Sequence, residues 1–274
     1  MFIFPPFICD PLALTPVLHA GGRGAEDMSQ PADAVANARN MYEGMAGQYE
    51  EMVESDWAGD PLLSAGAGPT CRAMLRALEL TNAIDGLVCD VGCGPGFNLH
   101  WLATGEHGGF RKERVGDLRG LDVSVEMIKL AQTRCCPPLE RAQLVVADMT
   151  NLSSVLENNG SRCLFNLCTV QHFGEQDIRA TLSSSWRALK PGGVLLLQFW
   201  SGYADGPMSA PEAPAGAAFM EYTRETLAAW VQAEGFELAE ESAAEYEFEP
   251  GEPGQLYRFF FCQKTGEGKH MLPM

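Results

Sequence analysis

The chain of 274 residues is 46% hydrophobic and 20% charged, enough for one sizeable core with extensions. Its formal net charge of −17 argues against a nucleic-acid partner, because phosphate backbones are bound by surplus Lys and Arg. No apolar run approaches the ~20 residues that a membrane-spanning helix requires.

Residues 1–32 are expected to form a disordered or loosely docked extension. They hold several prolines, and no positive charge precedes their apolar part, which gives a secretory signal poor support; Met28 is an alternative start. Residues 33–82 read as a helical cap. Val35, Ala38, Met41, Tyr42, Met45, Tyr49 and Met52 recur near a 3.6 period, "GDPLLSAGAGP" interrupts, and helix resumes over Thr70 to Leu80.

From 83 to 266 short apolar strands alternate with amphipathic helices, before a tail at 267–274. "GLVCDVG", "LRGLDVS", "AQLVVADM", "CLFNLCTV" and "GGVLLLQFW" are the first five strands, and "FELAEESAAEYEF" and "LYRFFFCQK" close the chain with no helix between them. The pattern predicts an α/β fold: a doubly wound, mostly parallel seven-stranded sheet, helices on both faces, and an antiparallel last strand. Nine cysteines include no C-x-x-C pair, and Cys89, Cys163, Cys168 and Cys262 lie in apolar, strand-like runs. Zinc and disulfides are therefore not expected, and a cytoplasmic or other reducing compartment fits.

Behind the first strand, "DVGCGPG" sets Gly92, Gly94 and Gly96 at alternate positions. Glycines so placed permit positive φ and expose backbone N–H groups to a ligand, although such turns also serve packing. The spacing differs from the G-x-G-x-x-G of nicotinamide sites, and no Walker Lys follows. The second strand ends in Asp122, a carboxylate placed to accept hydrogen bonds from ribose hydroxyls, with Ser124 equally able to cap the next helix. The third strand is read as ending in Asp148-Met149, polar then apolar, as suits the amino edge and face of a flat base; a turn aspartate is the alternative.

Together "DVGCGPG", "GLDVSVEMIKLA", "VVADMTNL" and "LKPGGVLLL" resemble the motifs of class I S-adenosylmethionine-dependent methyltransferases, over about Tyr42 to Lys264. The resemblance implies a Rossmann-like core and S-adenosyl-L-methionine as cofactor. It implies that Asp90 anchors the cofactor's amino group, that the loop Gly92–Cys93–Gly94–Gly96 packs against its methionine portion, and that Asp122 holds the ribose. Val123 or Met127 would pack on adenine, Asp148 would meet the adenine amino group, and Met149 would supply backbone contact. Two departures stand out: Ser161-Arg162 replaces the Phe-Asp that commonly opens the fourth strand, which bears on the register of Asn166, and "GEHGGFRKERVGD" is a long link.

On the acceptor side, "NLCTVQHFG" places Asn166, Gln171 and His172 past the fourth strand. His172 is the catalytic candidate, an imidazole whose ordinary pKa suits a general base, with packing or helix capping as the alternative. Tyr42 and Tyr49, seven apart, share one helix face, where they would meet the cofactor carboxylate or line the acceptor pocket, or simply pack. Trp200 and Tyr203 are candidate aromatic walls, whereas Trp101 and Trp186 read as core. The compact loop after the fifth strand and the acidity favour a small-molecule acceptor with an O, N or S nucleophile. Methylation of protein or RNA, or a non-catalytic cofactor-binding module of the same fold, are the alternatives.

Overall fold

A computed structural model describes residues 31–59, 68–81, 86–104, 116–201, 206–207, 220–246 and 255–266, with side chains from 34 to 48 only in the first segment. The extension before 31, the tail from 267, the Tyr49 side chain and Tyr203 lie outside the described residues.

The strands are β1 (Leu87–Val91), β2 (Leu118–Asp122), β3 (Leu144–Val146), β4 (Ser161–Leu167), β5 (Leu189–Trp200), the short β6 (Gly206–Pro207) and β7 (Met220–Glu221), then β8 (Phe236–Tyr246) and β9 (Gln255–Lys264). Seven of them form one sheet in the order β3-β2-β1-β4-β5-β9-β8. The first five are mutually parallel, and β9 runs antiparallel to both β5 and β8. A separate two-stranded ribbon joins β6 to β7.

Helices α1 (Pro31–Gly59), α2 (Pro69–Thr81), α3 (Phe97–Thr104), α4 (Val125–Cys135), α5 (Glu175–Ala188) and α6 (Arg224–Ala233) accompany the sheet. Side chains alternate across each strand, so the two faces collect different cores. Cys89, Leu164, Leu197 and Phe260 pack with Ile178 and Leu182 of α5, Leu227 of α6 and Ala38 of α1. Val88, Phe165, Leu196 and Phe259 face Met74 and Ala77 of α2 and Trp101 of α3. Burial on both faces explains why these strands read as continuous apolar runs.

The order reverses between β1 and β4: the chain steps outward through β2 and β3, then returns to the far side of β1. In doubly wound sheets, ligands bind at the carboxyl ends beside such a reversal. The loops after β1 and β4 meet there.

Three expectations change in detail. β3 stops at Val146, short of Asp148-Met149, because Asp148 instead caps a 3-10 segment, Met149–Ser154, its Oδ1 accepting from the Thr150 N–H at 2.8 Å. β4 begins at Ser161, where the register shifts before Cys163, and this irregularity coincides with the Ser161-Arg162 departure. Cys168 lies beyond β4 at φ +55°, outside the strand in which its apolar neighbours had placed it. Among the described residues no helix is long and apolar enough to cross a membrane.

Candidate active site

The loop after β1 is tied to β2 by backbone. The Gly92 and Cys93 N–H groups donate to the Leu121 carbonyl at 2.7 and 3.0 Å. Asp122 continues the tie: its Oδ2 accepts from the Gly94 N–H and its Oδ1 from the Ser124 N–H, each at 2.9 Å. Ser124 is the N-cap of α4, its hydroxyl accepting from the Met127 N–H, so Asp122 is free of that duty. Burial raises the Asp122 pKa, with the Ser124 and Gly94 N–H bonds opposing.

Gly92 and Gly96 hold positive φ, at 81° and 86°. A Cβ on Gly92 would lie 2.2 Å from Thr169 Cγ2, and one on Gly96 would lie 2.8 Å from Cys135 Sγ. These glycines thus also admit protein groups: the turn after β4 closes on one, α4 on the other. Cys93 is buried with Leu99, Ile128 and Leu144. Met127 is buried at the start of α4, and Val123 is half-buried.

Asp90, the last-but-one residue of β1, is 1% exposed, and neither carboxylate oxygen has a hydrogen-bond partner. Burial pushes its pKa up to about 7, the neighbouring Asn98 side chain opposing without reaching hydrogen-bond geometry. A buried carboxylate without donors is costly, and an ammonium group supplies what it lacks.

Beyond β4, Asn166 is 1% exposed and bridges two turns: its Nδ2 donates to Met149 Sδ at 3.4 Å, and its Oδ1 accepts from the Thr169 hydroxyl. Asp148 also accepts the Thr150 hydroxyl at 2.8 Å. The next turn, Val170–His172, carries Gln171 and His172. Gln171 is 3% exposed, and its Oε1 has no partner. Tyr42 reaches across from α1: its hydroxyl lies 2.7 Å from His172 Nε2, and the rings meet edge to face at 5.3 Å. Burial pushes His172 down to about 4, so the ring is neutral at pH 7. The Tyr222 hydroxyl donates to the Phe173 carbonyl and fixes the far end of this turn. Trp200, at the end of β5, meets Tyr257 edge-on at 6.0 Å. Burial raises Cys168 to about 12 and Cys93 well above the usual thiol value, so neither is a thiolate near neutral pH.

Residues 88–193 match the family model described as a methyltransferase domain. That segment of the chain is a methyltransferase domain. No curated protein matches the sequence significantly. Among solved structures, the chain is similar to the Burkholderia thailandensis 1,6-didemethyltoxoflavin-N1-methyltransferase bound to 1,6-didemethyltoxoflavin and S-adenosylhomocysteine, at 15% identity over 88% of this chain and 93% of that one, TM-score 0.60. It is also similar to the Haemonchus contortus phosphoethanolamine N-methyltransferase 2 in complex with S-adenosyl-L-methionine, at 15% identity over 83% and 60% of the two chains, TM-score 0.59. A Leishmania major S-adenosylmethionine-dependent methyltransferase matches at 14% identity over 87% of each chain, TM-score 0.58. At these identities the likeness is one of fold.

The residues present fit S-adenosylmethionine, since the chain has an unpartnered buried carboxylate at Asp90 beside a loop of positive-φ glycines. Sequence reading missed Thr169, Tyr222 and Tyr257. Thr169 was legible only as a neighbour of Gln171, whereas Tyr222 and Tyr257 enter through packing that no local pattern announces.

Proposed function

We propose that this chain is an S-adenosylmethionine-dependent methyltransferase acting on a small-molecule acceptor held against the Tyr42–His172 pair. The observation that carries the reading is the 2.7 Å hydrogen bond between Tyr42 and His172, which brings α1 to the turn after β4 at the reversal of the sheet. Asp90 would take the cofactor's ammonium group, the Gly92–Gly96 loop with Cys93 would flank its methionine portion, and Asp122 would take the ribose hydroxyls while bracing Gly94. Val123, Asp148 and Met149 would border the base; Met127 and Asn166 support that border from beneath. When bound, S-adenosylmethionine supplies an electrophilic methyl group already activated on a sulfonium.

What remains for the chain is alignment, exclusion of water and management of the acceptor's proton. With its Nδ1 protonated, His172 accepts the Tyr42 O–H at Nε2, fixing that phenol at the acceptor side. A proton leaving the acceptor can pass to the Tyr42 oxygen as the phenolic proton moves to His172 Nε2. The depressed imidazole pKa makes His172 a weak base that returns the proton to water readily. Gln171 and Trp200 complete this side of the site. Calorimetry with S-adenosylhomocysteine tests the cofactor half. A labelled-methyl transfer assay on small-molecule extract fractions, with mass spectrometry of the product, tests the acceptor half; label confined to protein or RNA would overturn it.

A further inference from the structure

We infer that Arg134 is a positioning residue for the amino-acid end of the cofactor, an inference that rests on the cofactor reading above. Arg134 stands in the last turn of α4, at the opposite end of that helix from the Ser124 cap. Its Nε donates to the Pro95 carbonyl at 3.1 Å, and its guanidinium carbon lies 3.6 Å from the centre of the Phe97 ring. One planar group thus grips both the loop after β1 and the first residue of α3. A lysine ammonium has neither the flat face nor a donor set back at Nε.

The surroundings hold Arg134 in that place. Its carbonyl accepts from His100 Nδ1 at 3.1 Å, so that ring nitrogen carries a proton, and the bond ties α4 to α3. The adjacent Cys135 thiol donates to the Gly96 carbonyl at 3.3 Å. The same carbonyl accepts from the His100 N–H at 2.8 Å, and the Cys93 carbonyl accepts from the Gly96 N–H at 3.0 Å. The Gly94 carbonyl takes the Cys93 thiol at 3.6 Å. Every carbonyl from Cys93 to Gly96 therefore has a protein donor, and the donor to Pro95 is a cation.

The Pro95–Gly96 peptide is the part of the loop that most needs a hold. The proline ring fixes φ but not ψ, and Gly96, at φ +86°, resists rotation little. Turning that peptide would pull the Gly96 N–H from Cys93 and re-aim the loop proposed to flank the methionine portion. The groups proposed for ribose and base take their places from other bonds: Asp122 from the Gly94 and Ser124 N–H groups, Asp148 from Thr150. Arg134 thus acts on one end of the cofactor, through the loop.

The test measures two probes by calorimetry on the full chain, with melting curves as the folding control. S-adenosylhomocysteine carries the amino-acid end; 5′-methylthioadenosine keeps base, ribose and thioether but lacks it. Arg134→Met is expected to weaken S-adenosylhomocysteine about tenfold and 5′-methylthioadenosine less than about twofold, as loss of one charged hydrogen bond implies. Arg134→Lys should show the same split. Phe97→Leu should weaken S-adenosylhomocysteine too, and adding it to Arg134→Met should cost nothing further, because both remove one stack. Equal loss of the two probes, unchanged S-adenosylhomocysteine affinity, full recovery in Arg134→Lys or additive losses in the double variant each overturn the inference and leave the cofactor reading intact. A folded native chain that binds no S-adenosylhomocysteine overturns the cofactor reading and this inference with it.

Discussion

Tyr42 and His172, separated by 130 residues, share a hydrogen bond of 2.7 Å that joins α1 to the mouth of β4. If the pair manages the acceptor's proton, His172→Ala lowers kcat by roughly 10²-fold or more, with the dissociation constant of S-adenosylhomocysteine little changed. Tyr42→Phe, which removes only the hydroxyl, lowers kcat in the same direction. Steady-state kinetics alongside calorimetry distinguish this from a packing role, which would leave turnover untouched. Because burial holds His172 at about 4, kcat at saturating cofactor is expected to stay flat down to about pH 5, rather than declining around 6.5 as for an ordinary imidazole.

If Asp90 takes the cofactor's ammonium group, it links protonation to cofactor binding. Its folded pKa of about 7 lies above the ordinary value of 3.8, so the folded, ligand-free protein binds the extra proton. That contribution to stability is complete below about pH 3.8 and is lost as pH rises through about 7. Asp90→Asn should therefore raise the ligand-free melting temperature at pH 8 while weakening S-adenosylhomocysteine binding. An ammonium partner favours the ionised carboxylate, so affinity in the native protein should increase from pH 6 to 8 with proton release. Calorimetry in buffers of different ionisation enthalpy measures that release directly.

Gly92 is expected to tolerate no side chain. Gly92→Ala combines a left-handed φ of 81° with a Cβ 2.2 Å from Thr169 Cγ2. Melting temperature and cofactor affinity should both fall, since the turn carrying Gln171 and His172 must shift. Adding Thr169→Ala relieves the side-chain clash but not the backbone strain, so the double variant should recover only part of the loss in a thermal melt.

Lys264 serves the fold away from the site. It is 3% exposed, and its ammonium donates to Asn159 Oδ1 at 2.7 Å and to the Trp186 and Leu189 carbonyls at 2.8 Å, at the end of α5. The same ammonium lies 3.8 Å from the centre of the Trp186 ring. Lys264→Met leaves buried acceptors unpaired at the negative end of a helix and should cost about 3 kcal/mol by denaturant unfolding. Cofactor affinity below the melting transition should be unchanged.

Much of the sheet and of the loop after β1 was legible in local pattern. Alternating apolar strands and amphipathic helices foretold the parallel sheet, and glycine spacing with Asp122 at the β2 tip located the loop that Asp122 braces through Gly94. Local pattern failed where side chains compete with regular structure. Asp148 turns its carboxylate back onto Thr150, ending β3 early, and Cys168 breaks from β4 in a left-handed conformation. The sequence by itself determined the class of fold and the acidity of the chain, because strand and helix periods and net charge are properties of neighbouring residues and their sum. Only the tertiary structure decided that Tyr42 meets His172, that Asp90 is buried without a donor and that Lys264 closes α5. Each depends on which distant groups share a low-dielectric neighbourhood, and packing of the whole chain sets that.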